Sequence, residues 1–341
     1  MLIEKLCNAQ GVSGDEGEIR SIIKSEIKPY ADEIRTDMLG NLIAYKKGKN
    51  SSKKIMISAH MDEVGFIISG ITDKGYLRFK TVGGIDTRVI LGKKVVFKSG
   101  IKGIIGVKAI HLLSESERDS VPKVKDLYID IGTSTKEEAE KYVSVGDYAT
   151  FDTVFGNLGG TRIKAKAIDD RAGCAVLAEL LKVETEFDLY ACFTTQEEVG
   201  LRGSTVCAEA IKPDVALVLE STTCSDVYKV DPKFEVTTCG GGVAISFMDG
   251  RTIVNDGHFK RLTEMADRNG IPYQLKRTTA GGNDAGSIHL AAGGTVTASV
   301  SVPCRYLHSP VGVADMKDID AMEAFAKAYL REIGGIMKWS F

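Results

Sequence analysis

Histidines and carboxylates lie directly after several predicted strands of this 341-residue sequence. His60 and Asp62 follow the apolar run at residues 54–59. The other members of the set are Asp169 and Asp170, Glu197 and Glu198, Glu220, and His308. Because parallel strands end at the same edge of a sheet, these side chains are expected to converge in the crevice beyond it. Imidazole and carboxylate oxygen together suit zinc and similar divalent cations, so the set predicts a site for two metal ions.

Each of these residues also has a purely structural interpretation. A single histidine after a strand is often a surface or core residue, the aspartates at 169–170 could cap a helix, and the glutamates at 197–198 could lie in a solvated turn. The combination is harder to explain in this way. The chain has only five histidines, and His60 and His308 both fall beside carboxylates at predicted strand ends.

The elements that must position this set alternate between strand and helix. After residue 160, strands are predicted at 161–168, 188–194, 214–219 and 295–302, with helices at 172–181, 203–211, 257–268 and 316–333. The first 65 residues add a helix at 14–28 and strands at 34–37, 41–45 and 54–59. This alternation predicts an α/β fold with a mostly parallel sheet and helices on both faces.

Residues 66–160 have a different sequence pattern, in which short apolar runs typical of β-strands are separated by glycine turns. Many short strands with turn signals predict a small β-barrel or sandwich. We therefore predict two domains. One is a catalytic α/β domain made of residues 1–65 and 161–341, and the other is a β domain inserted at 66–160.

Composition narrows the classes of function. With 44 basic and 46 acidic residues the net charge is −2, so the chain has no basic field to hold nucleic acid or a membrane surface. The seven cysteines are odd in number and form no C-x-x-C pair, as is typical of reduced thiols in a cytoplasmic protein. No apolar stretch is long enough to span a bilayer.

Five motifs follow one another over nearly the whole chain. They are AHMDEVG at 59–65, KAIDDR at 166–171, TQEEVGLRG at 195–203, GGNDAG at 281–286 and RYLHSP at 305–310. In these motifs the sequence resembles the M42 family of metallopeptidases, of the tetrahedral or glutamyl aminopeptidase type, some members of which are labelled endoglucanases. The resemblance implies an aminopeptidase that removes N-terminal residues from short peptides.

The resemblance also implies roles for individual residues. The implied metal ligands are His60, Asp169, Glu198, Glu220 and His308, with Asp169, rather than Asp170, bridging two ions of zinc or cobalt, or else manganese. Asp62 would orient His60, and Glu197 would act as the general base on a water shared by the ions. The inserted domain would join subunits into dimers, and these into a tetrahedral dodecamer.

Two positions depart from the family pattern, and other functions stay open. Glu220 stands where many members have Asp, and Asn283 where Thr is expected. The 281–286 loop either brings backbone to the substrate or is a plain turn before a helix capped by Asp284. The alternatives are a related deacylase or carboxypeptidase, a glycoside hydrolase, and a peptide-holding protein without activity. Adjacent glutamates cannot readily flank one glycosidic bond, and a holding protein has no need of a base at 197.

Overall fold

The structure is a computed structural model that describes residues 1–337. Its strands are β1 (Glu33–Thr36), β2 (Leu42–Lys46), β3 (Asn50–His60), β4 (Gly65–Ile71), β5 (Leu77–Val82), β6 (Lys94–Phe97), β7 (Lys102–Gly106), β8 (Tyr128–Asp130), β9 (Tyr148–Phe151), β10 (Gly156–Asn157), β11 (Arg162–Ala165), β12 (Phe187–Thr194), β13 (Val215–Thr223), β14 (Val243–Ile245), β15 (Tyr273–Leu275), β16 (Val296–Cys304) and β17 (Gly312–Asp315). Its α-helices are α1 (Leu2–Asn8), α2 (Gly17–Ile27), α3 (Thr87–Ile90), α4 (Glu115–Arg118), α5 (Lys136–Ala139), α6 (Ile168–Leu180), α7 (Arg202–Ile211), α8 (Asp256–Arg268), α9 (Ala285–Ile288) and α10 (Met316–Ile336).

Eight strands form the large sheet, in the order β1-β2-β12-β3-β13-β16-β14-β15. The four central strands, β12, β3, β13 and β16, run parallel, and β2 and β14 flank them antiparallel. The register pairs Thr194 with His60 and Glu220 with Ser301. The carboxyl ends of the central strands therefore share one edge, as the sequence predicted for a mostly parallel sheet.

Alternating side chains along the central strands face two separate cores. On β13, Leu217 and Leu219 pack into the core that α1, α2, α6, α8 and α10 cover, whereas Ala216 and Val218 join the core under α7 and α9. Strands that are buried on both faces read as continuous apolar runs, because neither face meets water. The sheet is thus the middle of three layers, and the predicted fold class is confirmed.

A six-stranded closed barrel, in the order β4-β5-β8-β7-β6-β9, lies between Gly65 and Phe151. Phe66 is at its centre and makes edge-on ring contacts with Phe79 and Phe151 at centroid distances of 5.2 Å. Of the two β architectures expected here, the structure has the barrel. The division into two domains stays a prediction, and residues 338–341 of the predicted α/β domain lie outside the described part of the chain.

One predicted strand was wrong in its length and in the strands with which it pairs. Residues 161–168 were expected to form one strand of the main sheet, but β11 covers only Arg162–Ala165 and pairs with β10 and β17 in a separate antiparallel sheet. Ala167 has a positive φ of 53°, which turns the chain, and helix α6 begins at Ile168. The short strands β14 and β15 were not predicted. Between Met1 and Met337, no helix combines the length and apolar character that a membrane span requires.

Candidate active site

Two groups of potential metal ligands share Asp169 at the carboxyl edge of the sheet. The deep cluster is His60, Asp169 and Glu220, and the outer cluster is Asp169, Glu198 and His308. Asp169 Oδ1 lies 3.3 Å from His60 Nε2, and Asp169 Oδ2 lies 3.3 Å from His308 Nε2. The two oxygens of one carboxylate therefore face different histidines. This arrangement suits a carboxylate that bridges two cations.

Strands β3 and β13 bring two members of the deep cluster into position. His60 is the last residue of β3, and its Nε2 lies 3.7 Å from Oε2 of Glu220. Glu220 was expected to end its strand, but β13 continues to Thr223, so Glu220 projects from within a strand. Both residues are almost fully buried. Their backbones are fixed by the sheet, which positions these two members of the deep cluster.

Asp62 supports this cluster from behind the histidine. His60 Nδ1 lies 3.1 Å from the Asp62 backbone oxygen and 3.4 Å from its carboxylate. The fully buried Asp62 carboxylate also accepts hydrogen bonds from Ser13 Oγ at 2.6 Å and from the backbone N–H groups of Glu197 and Glu198 at 3.0 and 3.1 Å. The far ring nitrogen is therefore engaged, and Nε2 is left to face the carboxylates, which is the usual arrangement behind a ligating histidine.

The two aspartates at the start of α6 have different surroundings. The backbone at Asp169 and Asp170 departs from helical geometry inside α6, and the peptide bond between them is cis. Asp170 Oδ1 accepts a hydrogen bond from Gly173 N at 2.9 Å, in the manner of a helix cap. The capping interpretation thus describes Asp170, whereas Asp169 faces the two histidines and its role as a ligand stays a prediction.

A turn after β12 separates the two adjacent glutamates. Gln196 has a positive φ of 57°, and the turn is pinned to Asp62 by the two backbone hydrogen bonds already described. Glu198 points to the outer cluster, where its Oε1 lies 3.3 Å from His308 Nε2. Glu197 instead lines a cavity together with Asp169 and Glu220. The two glutamate side chains therefore point to different places. A general base next to a metal ligand in the sequence requires such a separation.

His308 comes from a loop rather than from a strand end. It follows β16, has a positive φ of 54°, and keeps 34% of its side chain exposed. Its Nδ1–H donates to the backbone oxygen of Gly84 at 3.0 Å, and Gly84 lies two residues beyond the end of barrel strand β5. The barrel therefore contributes a contact that orients a member of the outer cluster.

Carboxyl groups outnumber histidines at the site. Burial raises the pKa of Glu198 to about 7 and that of Glu220 well above its ordinary value. Burial opposes a charged imidazole, but hydrogen bonding to Asp169 and the nearby charge of Glu198 outweigh it and raise the pKa of His308 to about 9. The carboxylates of Glu220 and Asp169 likewise hold the pKa of the buried His60 well above its usual range. Such a site favours bound positive charge.

The donor set fits divalent cations. Oε1 of Glu220 is buried and has no hydrogen-bond partner among the described residues, although a carboxylate oxygen withdrawn from water is costly. Two imidazole nitrogens and three carboxylates make up the two clusters. This mixture of nitrogen and oxygen ligands is typical of zinc and of its first-row neighbours.

Some supporting residues had no signal in the sequence. Ser13 and Gly84 lie far from every motif, and only the folded chain brings them to Asp62 and His308. Asp284 was considered as a helix cap, and this interpretation was wrong, since its side chain makes no capping bond to α9. It is buried and accepts hydrogen bonds from Thr194 Oγ at 2.7 Å and Ser204 Oγ at 2.6 Å. Asp284 thus ties the GGNDAG loop to β12 and α7.

A mostly parallel sheet with histidines and carboxylates gathered at its carboxyl edge defines an α/β protein with a candidate metal centre, and the comparisons identify the family. The sequence profile of the M42 glutamyl aminopeptidase family matches residues 40–325. A protein of Acetivibrio thermocellus with an aminopeptidase name is 46% identical over 94% of both chains. Lysyl aminopeptidase of Pyrococcus furiosus is 34% identical over 97% of this chain and 96% of its own. The chain belongs to the M42 glutamyl aminopeptidase family and to its class of peptide-bond hydrolases, which confirms the resemblance.

Solved structures agree with this assignment. Aminopeptidase APDkam598 from the archaeon Desulfurococcus kamchatkensis superposes with a TM-score of 0.94 at 38% identity, over 99% of this chain and 96% of that one. The TET1 peptidase of Pyrococcus horikoshii, which assembles into a tetrahedron or a large octahedral shell, gives 0.86 at 36% identity over 96% and 98%. A Thermotoga maritima structure titled endoglucanase gives 0.84 at 38% identity over 99% of both chains. The fold is thus shared by structures described as peptidases and by one described as an endoglucanase.

Proposed function

We propose that this chain is a binuclear metal-dependent aminopeptidase that removes N-terminal residues from short peptides. The observation that carries the proposal is the position of Asp169, whose Oδ1 lies near His60 and whose Oδ2 lies near His308. His60 and Glu220 would hold one cation, Glu198 and His308 the other, and Asp169 both. Zinc or cobalt suits this donor set best, with manganese as a further candidate.

A pair of divalent cations would supply an activated water and a polarised carbonyl group. Glu197 would move the proton, and this role is supported because Glu197 lines the same cavity as Asp169 and Glu220 but belongs to neither cluster. In this role it accepts a proton from the attacking water and delivers it to the leaving amine. Asp62 acts through His60, whose ring it holds in one orientation.

The assembly state and the compartment extend this proposal. The relatedness to a peptidase that forms tetrahedral and octahedral shells supports a homo-oligomer, and we propose that the 66–160 barrel joins subunits into dimers and these into a dodecamer. Light scattering on the purified chain tests this, and a compact monomer would contradict it. We place the protein in the cytoplasm, as the composition of unpaired cysteines suggests.

The decisive experiment uses one peptide in two forms, free and N-acetylated, incubated with metal-loaded protein and followed by mass spectrometry. Stepwise loss of residues from the free form alone is the expected result. Cleavage of the acetylated form, or release from the carboxyl end, would instead establish the deacylase or carboxypeptidase alternative. Cleavage of neither, with hydrolysis of a β-glucan, would establish the glycosidase alternative.

Glu197→Gln tests the mechanism within the same assay. We expect turnover to fall by about a thousandfold, as for loss of a general base, while two metal ions stay bound. Glu115→Gln, an exposed glutamate of the short helix α4, is the matched control. Substantial turnover by Glu197→Gln would remove Glu197 from the role of base.

A further inference from the structure

A second cavity lies beside the outer cluster, between the loop that carries His308 and the segment that joins barrel strands β5 and β6. It has a volume of about 610 Å³, and we call it the barrel groove. Six residues of the segment 84–93 form one wall, and residues 306–311 form the other. Leu307 and His308 also line the cavity that contains Glu197. The barrel groove therefore adjoins the candidate active site.

Much of the wall of the barrel groove is apolar. Val89 and Leu91 line it from the barrel side, and Pro310 and Val311 line it from the loop side. Tyr306 also lines the groove and leaves 55% of its surface exposed. Apolar walls pack against side chains of many kinds, whereas a site for one small polar molecule needs several converging polar groups. The groove therefore suits an extended chain with varied side chains.

The charged side chains of the groove leave one cation without a partner. Asp86, Arg88 and Lys93 are the acidic and basic residues that line the groove beside His308. Arg88 Nε donates to both carboxylate oxygens of Asp86, at 3.1 and 2.8 Å, so these two charges neutralise each other. The Lys93 ammonium makes no hydrogen bond or ion pair with any residue between Met1 and Met337. The groove thus offers one positive charge that is available to an anion.

We propose that the barrel groove binds the leaving part of the substrate peptide and that Lys93 pairs with its C-terminal carboxylate. The inference rests on the proposed aminopeptidase function. In that reaction the N-terminal residue is held beside Glu197, and the chain beyond the cleaved bond must extend away from it. The shared wall at Leu307 and His308 gives this chain a path into the groove. Lys93 then recognises a group that every unblocked peptide carries.

Charge complementarity favours this direction of binding over the reverse. A C-terminal carboxylate in the groove meets the ammonium of Lys93, whereas the same group in the neighbouring cavity would meet the carboxyl group of Glu197. Unlike charges attract and like charges repel, so both contacts select the same orientation. The groove therefore favours removal of residues from the amino end rather than from the carboxyl end.

The test uses the metal-loaded full chain and alanine peptides with an N-terminal leucine, in lengths from two to ten residues. Each is supplied as the free acid and as the C-terminal amide. We expect kcat/KM for the acid to exceed that for the amide by about fivefold at one short length, the upper range for an ion pair at an exposed position. The ratio should be near one for the decapeptide, whose leaving part spans about 30 Å when extended. Added salt should lower the ratio at the short length.

Variants at position 93 separate carboxylate recognition from general support of the site. Lys93→Met should bring the acid-to-amide ratio close to one at every length, and Lys93→Arg should keep it above one. Lys94→Met is the matched control, because Lys94 is adjacent and exposed but lines a different cavity on the barrel. It should leave the ratio as in the wild type. Calorimetry on Glu197→Gln should show the same preference for the acid in Kd, without turnover.

The outcomes distinguish this inference from the function on which it rests. A ratio of one at every length, a ratio that persists in Lys93→Met, or one that Lys94→Met removes equally would overturn the role of Lys93 and leave the aminopeptidase intact. Failure to cleave any of the peptides would overturn the proposed function, and the role of the groove with it.

Discussion

The deep and outer clusters share one carboxylate but are built in different ways. The deep cluster takes His60 and Glu220 from neighbouring parallel strands, and their side chains are 1% and 5% exposed. The outer cluster takes Glu198 from a turn and His308 from a loop, and the His308 side chain is 34% exposed. Backbone hydrogen bonding in the sheet fixes the first pair, whereas the second depends on Asp62 and on the Gly84 backbone. The sheet therefore holds the ligands of the deep cluster rigidly, whereas contacts that can adjust hold those of the outer cluster.

This difference predicts that the two cations exchange at different rates. A site held by buried strand residues should exchange its ion slowly, because opening it requires the central sheet to open. A half-exposed site on a loop opens locally. We expect the outer cation to leave first on chelation and to be the easier one to replace by another metal.

The largest effect is expected at the residue that the clusters share. Asp169→Asn keeps the size of the side chain but removes the charge that faces both histidines. Metal content should fall from two ions to less than one per chain, and turnover by about a thousandfold or more, as for loss of a catalytic group. Metal analysis after gel filtration and the peptide assay measure both.

The matched control for that change is Asp73→Asn, which removes an exposed aspartate of the barrel. It should keep two ions and wild-type turnover. If Asp169→Asn retained both ions, the two clusters would be independent, and the shared-carboxylate arrangement would not describe the bound state.

The next effect separates the two clusters. His308→Ala should lose the outer ion alone and keep one ion per chain, with little change in the unfolding temperature, because the side chain is part-exposed. His60→Ala should lose the deep ion and also destabilise the fold, since a fully buried imidazole is replaced by a cavity. Titration of the wild type with a chelator should show two phases, and only the faster should vanish in His308→Ala. Equal ion loss and equal destabilisation in the two variants would contradict the comparison.

The two clusters also differ in how far the sequence could predict them. His60 follows a buried apolar run, and a histidine at the end of a parallel strand is placed by the sheet itself, so local pattern suffices. His308 could be assigned only through the resemblance in its motif, because its orientation depends on Gly84, which is 224 positions away in the chain. Ser13 has the same character, since nothing in its own segment marks it as a partner of Asp62.

The start of α6 shows why the remaining errors arose. Apolar residues at 163, 165, 167 and 168 read as a strand, but the positive φ at Ala167 ends the extended segment three residues early. Backbone geometry of this kind is set by the residues packed around the turn and not by local propensity. The aspartate pair that follows supported two interpretations. The structure shows a capping bond at Asp170, and the ligand role of Asp169 stays a prediction.

The smallest effect concerns the loop that presents His308. Arg305, three residues earlier, donates two hydrogen bonds to the Asp226 carboxylate, with Nε–Oδ1 and Nη2–Oδ2 distances of 2.7 and 2.6 Å. The Arg305 side chain is 18% exposed. A lysine keeps the charge but not this planar two-pronged contact. Arg305→Lys should therefore weaken binding of the outer cation by roughly tenfold, the low end of what supporting residues contribute, and leave the deep cation unaffected. Arg268→Lys, which alters an exposed pair with Glu332 on the helical face, should change neither affinity. Since Arg305 precedes His308 on the same loop and its side chain pairs with Asp226, an equal loss at both cations would show that the loop and the sheet act as one rigid unit.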